Sequence, residues 1–347
     1  MSQASTLASL NRWARDMAKS VAAHTGGVRL YHHLRDRETL TVIMLHRILP
    51  KAMYAELGAD PAYTTSTEVL KELVLFLRAN YMIVGLPDVV EARRGTRPLP
   101  PRPLLITFDD GWEDNLRYAA PVLSGLNAPW TLFVAAGAVN TGAPWWQETL
   151  LQALRTGRAS YRDLLRMAIG ETEVDKAPRE NPELVLLASF GALDVARRDS
   201  LLARVNERRP CPDMASWDGL RSLLGGNVSI GAHGFSHLPL TMLDDPGQDL
   251  LQARELLRSN LGPDAIVSLS FPHGRYDTNV LAATRAQGFE LIFTSDAVLN
   301  VCPGGHLPHD LIGRISVEEH SICDDRGDFD SSRAERWLML RKRQSAA

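Results

Sequence analysis

The chain has 347 residues, of which 45% are hydrophobic and 23% are charged, a composition that fits one large α/β domain or two smaller ones. Its net charge is −3 and its Lys and Arg residues are scattered, so no nucleic-acid-binding face is indicated and we expect no nucleic-acid partner. Cys211, Cys302 and Cys323 are far apart and odd in number, which favours reduced thiols over a disulfide framework.

Residues 1–39 form the first predicted segment. Apolar residues repeat there with helical spacing, at Leu7, Leu10, Ala14, Met17 and Val21. Charged residues interrupt any run that resembles a signal peptide, and no stretch reaches the roughly 20 apolar residues of a membrane span. We therefore expect a cytoplasmic protein whose N-terminal helix packs on its own body or contacts a partner or the inner membrane surface.

From residue 40 onward, short β-rich runs alternate with helical patterns. Strands are predicted at 40–46, 81–86, 104–108, 130–136, 227–233, 265–271 and 291–295, with an eighth candidate at 311–317. Thr65 and Glu68 have the spacing of a capping box at the start of the first helix in this region. Seven or eight β–α units favour a distorted (β/α)7-8 barrel of the α/β class over an open sheet.

Two parts of the chain depart from this alternation. Residues 146–215 are charged and mostly helical in pattern, which predicts a helical insertion into the barrel of residues 40–320. Residues 321–347 predict a peripheral tail helix with a loose end. No internal repeat or Pro-rich linker indicates a second independent domain.

Polar residues follow several of the predicted strands. His46 ends the first, Asp109 and Asp110 end the third, and His233 ends the fifth. Because chemistry in such barrels gathers at the carboxyl ends of the strands, we expect these side chains to meet at one rim. Two adjacent carboxylates repel each other and resist burial unless each has a partner, and a metal ion is one such partner.

The histidines of "HGFSH", His233 and His237, are four residues apart and can offer two imidazole nitrogens to one ion. Alone, such a pair is more often a capping or core feature. Beside the adjacent carboxylates, however, two histidines and one aspartate make a set that leaves positions open for water and substrate, as a catalytic metal site requires.

The ordered set "TFDDG", H-x-x-x-H and "FPHG" resembles the polysaccharide deacetylases, also called carbohydrate esterase family 4 or NodB-like enzymes, over roughly residues 40–320. The resemblance implies that Asp110, His233 and His237 hold a divalent metal, usually zinc, and that Asp109 is the general base. It implies hydrolysis of an N-acetyl group on an amino-sugar glycan or glycan precursor, by a metal-bound water, to a free amine and acetate. In the segment of Pro272 and His273, the backbone N–H of His273 would bind the oxyanion.

The chain also departs from that family. Many members have an arginine two residues before the proline of the third motif, where this chain has Ser270, and a C-terminal Leu-x-His whose histidine is the acid. We predict His46 as the acid, with His306 and His309 as alternatives, and Arg314 as a replacement for the missing arginine. The plain structural interpretations, a strand-end histidine bonded to a loop and a surface ion pair, stay open.

Tryptophans flank the predicted site. Trp112 directly follows the "FDDG" motif, and we favour its stacking on a sugar ring. Trp145 and Trp146 are equally consistent with sugar contact and with packing in the core.

The sequence thus predicts a metal-dependent amino-sugar deacetylase. The alternative is a catalytically impaired carbohydrate-binding or scaffold protein on the same barrel, which the altered third motif suggests. An iron-dependent oxygenase is less favoured because its carboxylate usually lies two residues from a histidine, and an aspartyl phosphotransferase would need D-x-D. The sequence does not distinguish zinc from nickel, cobalt or manganese.

Overall fold

The computed structural model describes residues 17, 19–142, 144–178, 180–206, 213–262 and 267–344. Three predicted apolar positions of the N-terminal helix, at 7, 10 and 14, and also Cys211 lie outside these residues. Cys302 and Cys323 are free and buried. Within the described ranges, no helix combines the length and the apolar character needed to cross a bilayer.

The strands form one sheet of eleven and one of two. Their bounds are β1 Thr39–Leu45, β2 Arg47–Leu49, β3 Thr64–Ser66, β4 Met82–Ile83, β5 Pro103–Phe108, β6 Trp130–Val134, β7 Val228–Ala232, β8 Ser268–Ser270, β9 Leu291–Phe293, β10 Val298–Val301, β11 Leu311–Ile312, β12 Ile315–Ser316 and β13 Lys342–Arg343.

Parallel pairings run in the order β1, β5, β6, β7, β8, β9 and β11, and β12 then pairs back with β1. β11 and β12 are two halves of one segment, separated by Gly313 and Arg314. The Asn300 side chain holds the break open, because its Nδ2 donates to the Gly313 oxygen at 2.9 Å and its Oδ1 accepts from the Gly313 nitrogen at 2.7 Å. The two halves pair with β9 and with β1 respectively, so the fold has the predicted α/β class with a mostly parallel central sheet, and the hydrogen-bonded ladder stops between β11 and β12.

The barrel strands are buried on both faces. Within β5, Leu104 and Ile106 pack in the large cluster between the strands and the outer helices, whereas Leu105 packs with Phe133 and Phe293 of other strands in a second cluster. Such alternation gives a continuous apolar run rather than an amphipathic one, as expected for a parallel strand covered on both sides.

Among the described residues, 19–24 are helical. The further helices there are α1 Gly27–Arg35, α2 Tyr54–Leu57, α3 Thr67–Asn80, α4 Leu86–Arg94, α5 Ala120–Gly125, α6 Trp146–Arg155, α7 Tyr161–Ile169, α8 Glu171–Val174, α9 Pro182–Gly191, α10 Val195–Leu202, α11 Trp217–Leu223, α12 Pro246–Leu261, α13 Thr278–Ala286, α14 Glu319–Ile322 and α15 Ser331–Met339. A π-helical turn, Asn115–Ala119, precedes α5. The range predicted as an insertion holds α6 to α10, which share an apolar cluster of their own. The terminal helices α1 and α15 contact each other through Arg29 and Glu335.

Three local predictions differ from the structure. The run at 81–86 is a strand only over β4, because Gly85 already begins α4, with its backbone nitrogen bound to Asp88 at 2.8 Å. The N-cap of α3 is Ser66, not Thr65, since the Ser66 hydroxyl accepts from the Val69 nitrogen at 3.2 Å. The eighth predicted strand, 311–317, is divided by the Gly313 break described above.

Candidate active site

The carboxyl ends of the parallel strands surround a cavity of about 710 Å³. Polar residues from four separate segments line it: His46 after β1, Asp109 and Asp110 after β5, His233 and His237 after β7, and His273 after β8. One wall comes from Trp145, directly before the helical insertion, and from the insertion itself, through Trp146, Gln147, Glu148, Leu151 and Leu187. The barrel therefore brings together the residues that the sequence predicted to meet at one rim.

Asp110, His233 and His237 form a group whose potential ligand atoms all lie within 4.8 Å of one another. Asp110 Oδ1 lies 3.3 Å from His233 Nε2 and 3.1 Å from His237 Nε2. The backbone turns sharply to achieve this, with a φ of 78° at Asp110 and 57° at His237. Residues other than glycine seldom adopt such angles, and they concentrate at functional sites.

Neighbouring groups fix the orientation of these three side chains. His233 Nδ1 lies 2.9 Å from the Ser270 carbonyl oxygen, so Nε2 of a neutral ring presents its lone pair to the group. Trp112 Nε1 donates to Asp110 Oδ2 at 2.8 Å, which leaves Oδ1 facing the histidines. One carboxylate oxygen and two imidazole nitrogens, each oriented by an outer partner, fit a divalent ion such as zinc.

The charges agree with this arrangement. Burial raises the pKa of Asp110, but hydrogen bonds from His233 and His237 outweigh it and hold that pKa well below its usual range. Burial lowers the pKa of His233, yet Asp109 and Asp110 together raise it above the ordinary histidine value. Both shifts mean that the carboxylates favour a positive charge beside them, which a proton on a histidine or a bound cation supplies.

Asp109 has different partners from Asp110. Arg314 donates to both of its oxygens, at 2.7 and 2.8 Å, and the Ser270 hydroxyl donates to Oδ2 at 3.1 Å. The Arg314 side chain is completely buried. Burial raises the pKa of Asp109, but the charges of Arg314 and His233 lower it by more, so that the net pKa is below the usual value. The carboxylate is therefore ionised at neutral pH. Arg314 is therefore the charge partner of Asp109, and Ser270 bridges the pair. The catalytic roles of Asp109 and Arg314 stay predictions.

His46 lines the same cavity, and its ring packs edge-on against Tyr63 with 5.0 Å between centroids. Burial lowers its pKa, with Asp110 and Asp109 acting in the opposite direction. The alternatives His306 and His309 do not line the cavity, and His306 Nδ1 instead lies 3.4 Å from the Ala92 oxygen. The structure thus brings only His46 of these three to the site.

Pro272 and His273 lie in a short 3₁₀ turn after β8, where His273 has a φ of 56°. The His273 ring approaches His237, with 4.8 Å between centroids, and its Nε2 lies 3.1 Å from the His237 carbonyl oxygen. This turn therefore borders the ligand group. The oxyanion-binding role of the His273 amide stays a prediction.

The tryptophans contact protein side chains around the site. Trp112 is 3% exposed, and the Arg47 guanidinium lies 4.3 Å from its ring centre, so almost no ring surface is left for a sugar. The predicted stacking of Trp112 on substrate is therefore wrong. Trp145 stacks on the metal-ligand candidate His237, with 4.0 Å between centroids and 18° between planes. Trp146 lies under Arg198 at 4.7 Å.

A buried charge cluster beside the site was not predicted from the sequence. Arg47 donates to Asp114 at 2.8 Å and to Glu148 at 2.7 Å, and it lies 3.6 Å from Asp213. All four side chains are at most 10% exposed. Burial raises the pKa of Asp114 to about 6, although Arg47 opposes this. The only sequence sign was an arginine within the apolar run "MLHRILP".

A family model described as polysaccharide deacetylase matches residues 96–292. The chain belongs to the polysaccharide deacetylase family. Membership places it among hydrolases that act on carbon–nitrogen bonds. The motif residues Asp109, Asp110, His233, His237 and His273 all fall inside the matched range.

This polysaccharide deacetylase is also similar to individual proteins. A poly-beta-1,6-N-acetyl-D-glucosamine N-deacetylase of Escherichia coli K12 is 36% identical over 74 residues, which are 21% of this chain and 11% of that protein. The match thus spans about a tenth of that relative's length.

Two solved structures share the fold. IcaB from Ammonifex degensii has a TM-score of 0.56 at 19% identity, covering 87% of this chain and 98% of that one. The Streptococcus pyogenes deacetylase PplD has a TM-score of 0.57 at 12% identity, covering 86% and 98%.

Proposed function

We propose that the protein hydrolyses the N-acetyl group of an amino-sugar glycan or glycan precursor to a free amine and acetate. The observation that carries this proposal is the convergence of Asp110, His233 and His237 beside the separately held Asp109 in one cavity. The curated relative, named for poly-beta-1,6-N-acetyl-D-glucosamine, supports N-acetylglucosamine units as the substrate class.

Asp110, His233 and His237 would hold a divalent cation, for which zinc is our first expectation. When bound, such an ion polarises a carbonyl and lowers the pKa of water. The Trp112 indole and the Ser270 carbonyl keep the ligand side chains oriented toward one point. This support reduces the reorganisation needed when substrate binds.

Asp109 would accept the proton of the attacking water. It is suited to this role because it is ionised, and because Arg314 and Ser270 hold both its oxygens in fixed directions. Asp110 cannot share the role, since both of its oxygens are already engaged, Oδ1 by the histidines and Oδ2 by Trp112. The two adjacent carboxylates therefore have separate tasks.

His46 would protonate the departing amine. It borders the cavity that contains Asp109 and Asp110, on the strand adjacent to theirs. Because an acid must be protonated to act, the rate should fall as the pH rises through the pKa of His46. Its lowered pKa places this fall below the pH expected for an ordinary histidine.

The test is acetate release from N-acetylglucosamine oligomers, β-1,6-linked and chito-oligomers, by metal-free and zinc-loaded protein. We expect release only with metal. Asp110→Ala should lose both metal and activity, whereas Asp109→Asn should retain the metal and lose release.

His46→Gln should likewise keep the metal and lose most activity, while His306→Gln serves as a matched control outside the cavity. The impaired-binding alternative predicts sugar affinity with no acetate from any form. Glycan binding without release by the zinc-loaded wild type would therefore overturn the proposal in favour of that alternative.

The cytoplasmic location and the membrane contact stay predictions. Helix α1 exposes Leu30, Tyr31 and Leu34, at 62%, 48% and 77% of their surface, which is compatible with weak binding to a lipid surface. Flotation with anionic vesicles tests the contact, with Leu30→Ser and Leu34→Ser expected to reduce it, and cell fractionation tests the location.

A further inference from the structure

The helical insertion meets the candidate metal site at its beginning, through Trp145, the N-cap residue directly before it, and Glu148 in its first helix. Trp145 stacks on the ring of His237, and its edge contacts Trp112, with 6.5 Å between centroids. Three residues later, Glu148 accepts a hydrogen bond from Arg47, whose guanidinium covers the Trp112 ring. Trp112 in turn donates to Asp110. Two of the three ligand candidates are therefore contacted, directly or through one residue, from the start of the insertion.

The far end of the insertion contacts the same turn from another side. The backbone of 213–215 runs antiparallel to 111–113: the Glu113 nitrogen donates to the Asp213 oxygen at 2.8 Å, and the Ala215 nitrogen donates to the Gly111 oxygen at 3.0 Å. This turn directly follows Asp110 and includes Gly111, with a φ of 83°. The shape of this turn is thus held by residues about 100 positions away.

Arg47 links the two ends. It is the first residue of β2, and its guanidinium faces Glu148 from the first end, Asp213 from the second and Asp114 from the metal-site turn. A planar guanidinium can bind several carboxylates in fixed directions at once, which a lysine cannot do. One buried arginine therefore sets the distance between both ends of the insertion and the site.

The remainder of the insertion does not require these contacts for its own packing. Leu150, Leu164, Leu165, Leu186 and Phe190 form its separate apolar cluster. A carboxylate at Glu148 and an indole at Trp145 add nothing to that cluster's interior. Glu148 accepts one hydrogen bond within its own helix, from Gln152 at 2.7 Å, and another from Arg47 outside the insertion, while Trp145 stacks on His237.

We infer that Trp145 and Glu148 are positioning residues of the metal site. Through them the insertion, which we call the clamp, restricts the orientation of the His237 ring and of the turn that follows Asp110. The inference rests on the proposed function in assuming that Asp110, His233 and His237 bind a divalent ion. It adds that the affinity for this ion depends on two residues that are neither ligands nor part of the barrel.

Cobalt(II) titration of the metal-free full chain, followed by visible absorption, tests the clamp without any turnover. Trp145→Leu and Glu148→Ala should each weaken cobalt binding by about 10- to 100-fold, the range typical for outer partners of metal ligands. Trp145→Phe should restore most of the affinity, because a phenyl ring can still stack on His237. Each variant is also assayed for thermal unfolding, and Glu148→Gln replaces the alanine variant if that one does not fold.

The matched control is Glu183→Ala. Glu183 is also a carboxylate of the insertion bonded to an arginine, Arg155 at 2.7 Å, but it lies on the outer surface, 42% exposed. Its loss should leave cobalt affinity unchanged. Equal affinity in wild type, Trp145→Leu and Glu148→Ala would overturn this inference and leave the proposed function intact. Absence of cobalt binding by the wild type would overturn both.

Discussion

The barrel and the helical insertion are built on different principles. In the barrel, β-branched and leucine side chains alternate between two apolar clusters, and catalytic candidates occur only where strands end. The insertion has one small apolar cluster and contacts the site through an indole and a carboxylate. The candidate catalytic residues therefore belong to the barrel, whereas one wall of the cavity belongs to the insertion, and each region packs around its own apolar core.

The two neighbouring aspartates reflect the same division. Asp109 is held by Arg314 and Ser270, both from barrel strand ends. Asp110 is bonded to Trp112, which lies between the insertion's Trp145 and the Arg47 cluster. Changes in the barrel should therefore act first on Asp109, and changes in the insertion first on the proposed metal binding by Asp110.

The largest effect on stability is expected from Arg314→Met. This change leaves the Asp109 carboxylate buried without its cation, and breaking a buried pair from one side costs about 3–5 kcal/mol of unfolding free energy. Urea unfolding measures this. The control is Arg155→Met, whose partially exposed pairs with Asp60 and Glu183 should contribute no more than about 1 kcal/mol. A smaller loss for Arg314→Met than for this control would refute the buried-pair interpretation.

The same variant sharpens the assignment of the base. The depressed pKa of Asp109 stabilises the folded protein at pH values above the pKa of an unfolded aspartate, and this contribution is lost as the pH falls through the folded pKa. Without Arg314 the folded pKa rises. The acid limb of the deacetylation rate should then move to higher pH, which a pH–rate profile of any folded fraction would show.

An intermediate effect is expected from Leu164→Ala in the insertion. Leu164 is fully buried in the separate cluster, so its truncation should cost about 2–5 kcal/mol in the unfolding of that region. Cobalt affinity of the folded protein should stay within about twofold of wild type, because the change does not touch Trp145 or Glu148. A loss of cobalt affinity as large as that of Trp145→Leu would show that packing inside the insertion and metal binding are coupled.

The smallest expected effect is the contribution of Asp114 to the pH dependence of folding stability. Because the pKa of Asp114 is about 6 in the folded protein and near 4 when unfolded, the folded state binds this proton more tightly. Stability from this group therefore decreases as the pH rises from about 4 to 6. Asp114→Asn should remove that slope, and the difference between the two pH–stability curves isolates it from the histidines. Parallel curves would contradict the raised pKa.

Most strands of the barrel could be predicted because the local sequence determines where each strand lies. Runs such as 104–108 and 130–136 are continuous and apolar, and β5 and β6 lie within a residue or two of them. The rim residues followed, since strand ends of a parallel barrel lie at one side. Their catalytic roles stay predictions.

What the sequence did not reveal depends on long-range contacts. Arg47 and Glu148 are 101 residues apart, and no local pattern indicates that they are paired. Trp112 was misassigned for the same reason: its position after the motif is visible in sequence, but the arginine that covers it is not. The division of 311–317 into two strands depends on Asn300, a residue of another strand.

That divided segment links the completion of the fold to chemical competence. The interrupted segment that pairs with β9 and with β1 also carries Arg314, so the guanidinium reaches Asp109 only where β11 and β12 have paired with those two strands. A fold that lacked this pairing would hold a buried acid without its cation. Correct pairing of one short segment and the charge balance of the cavity are therefore a single requirement on this chain.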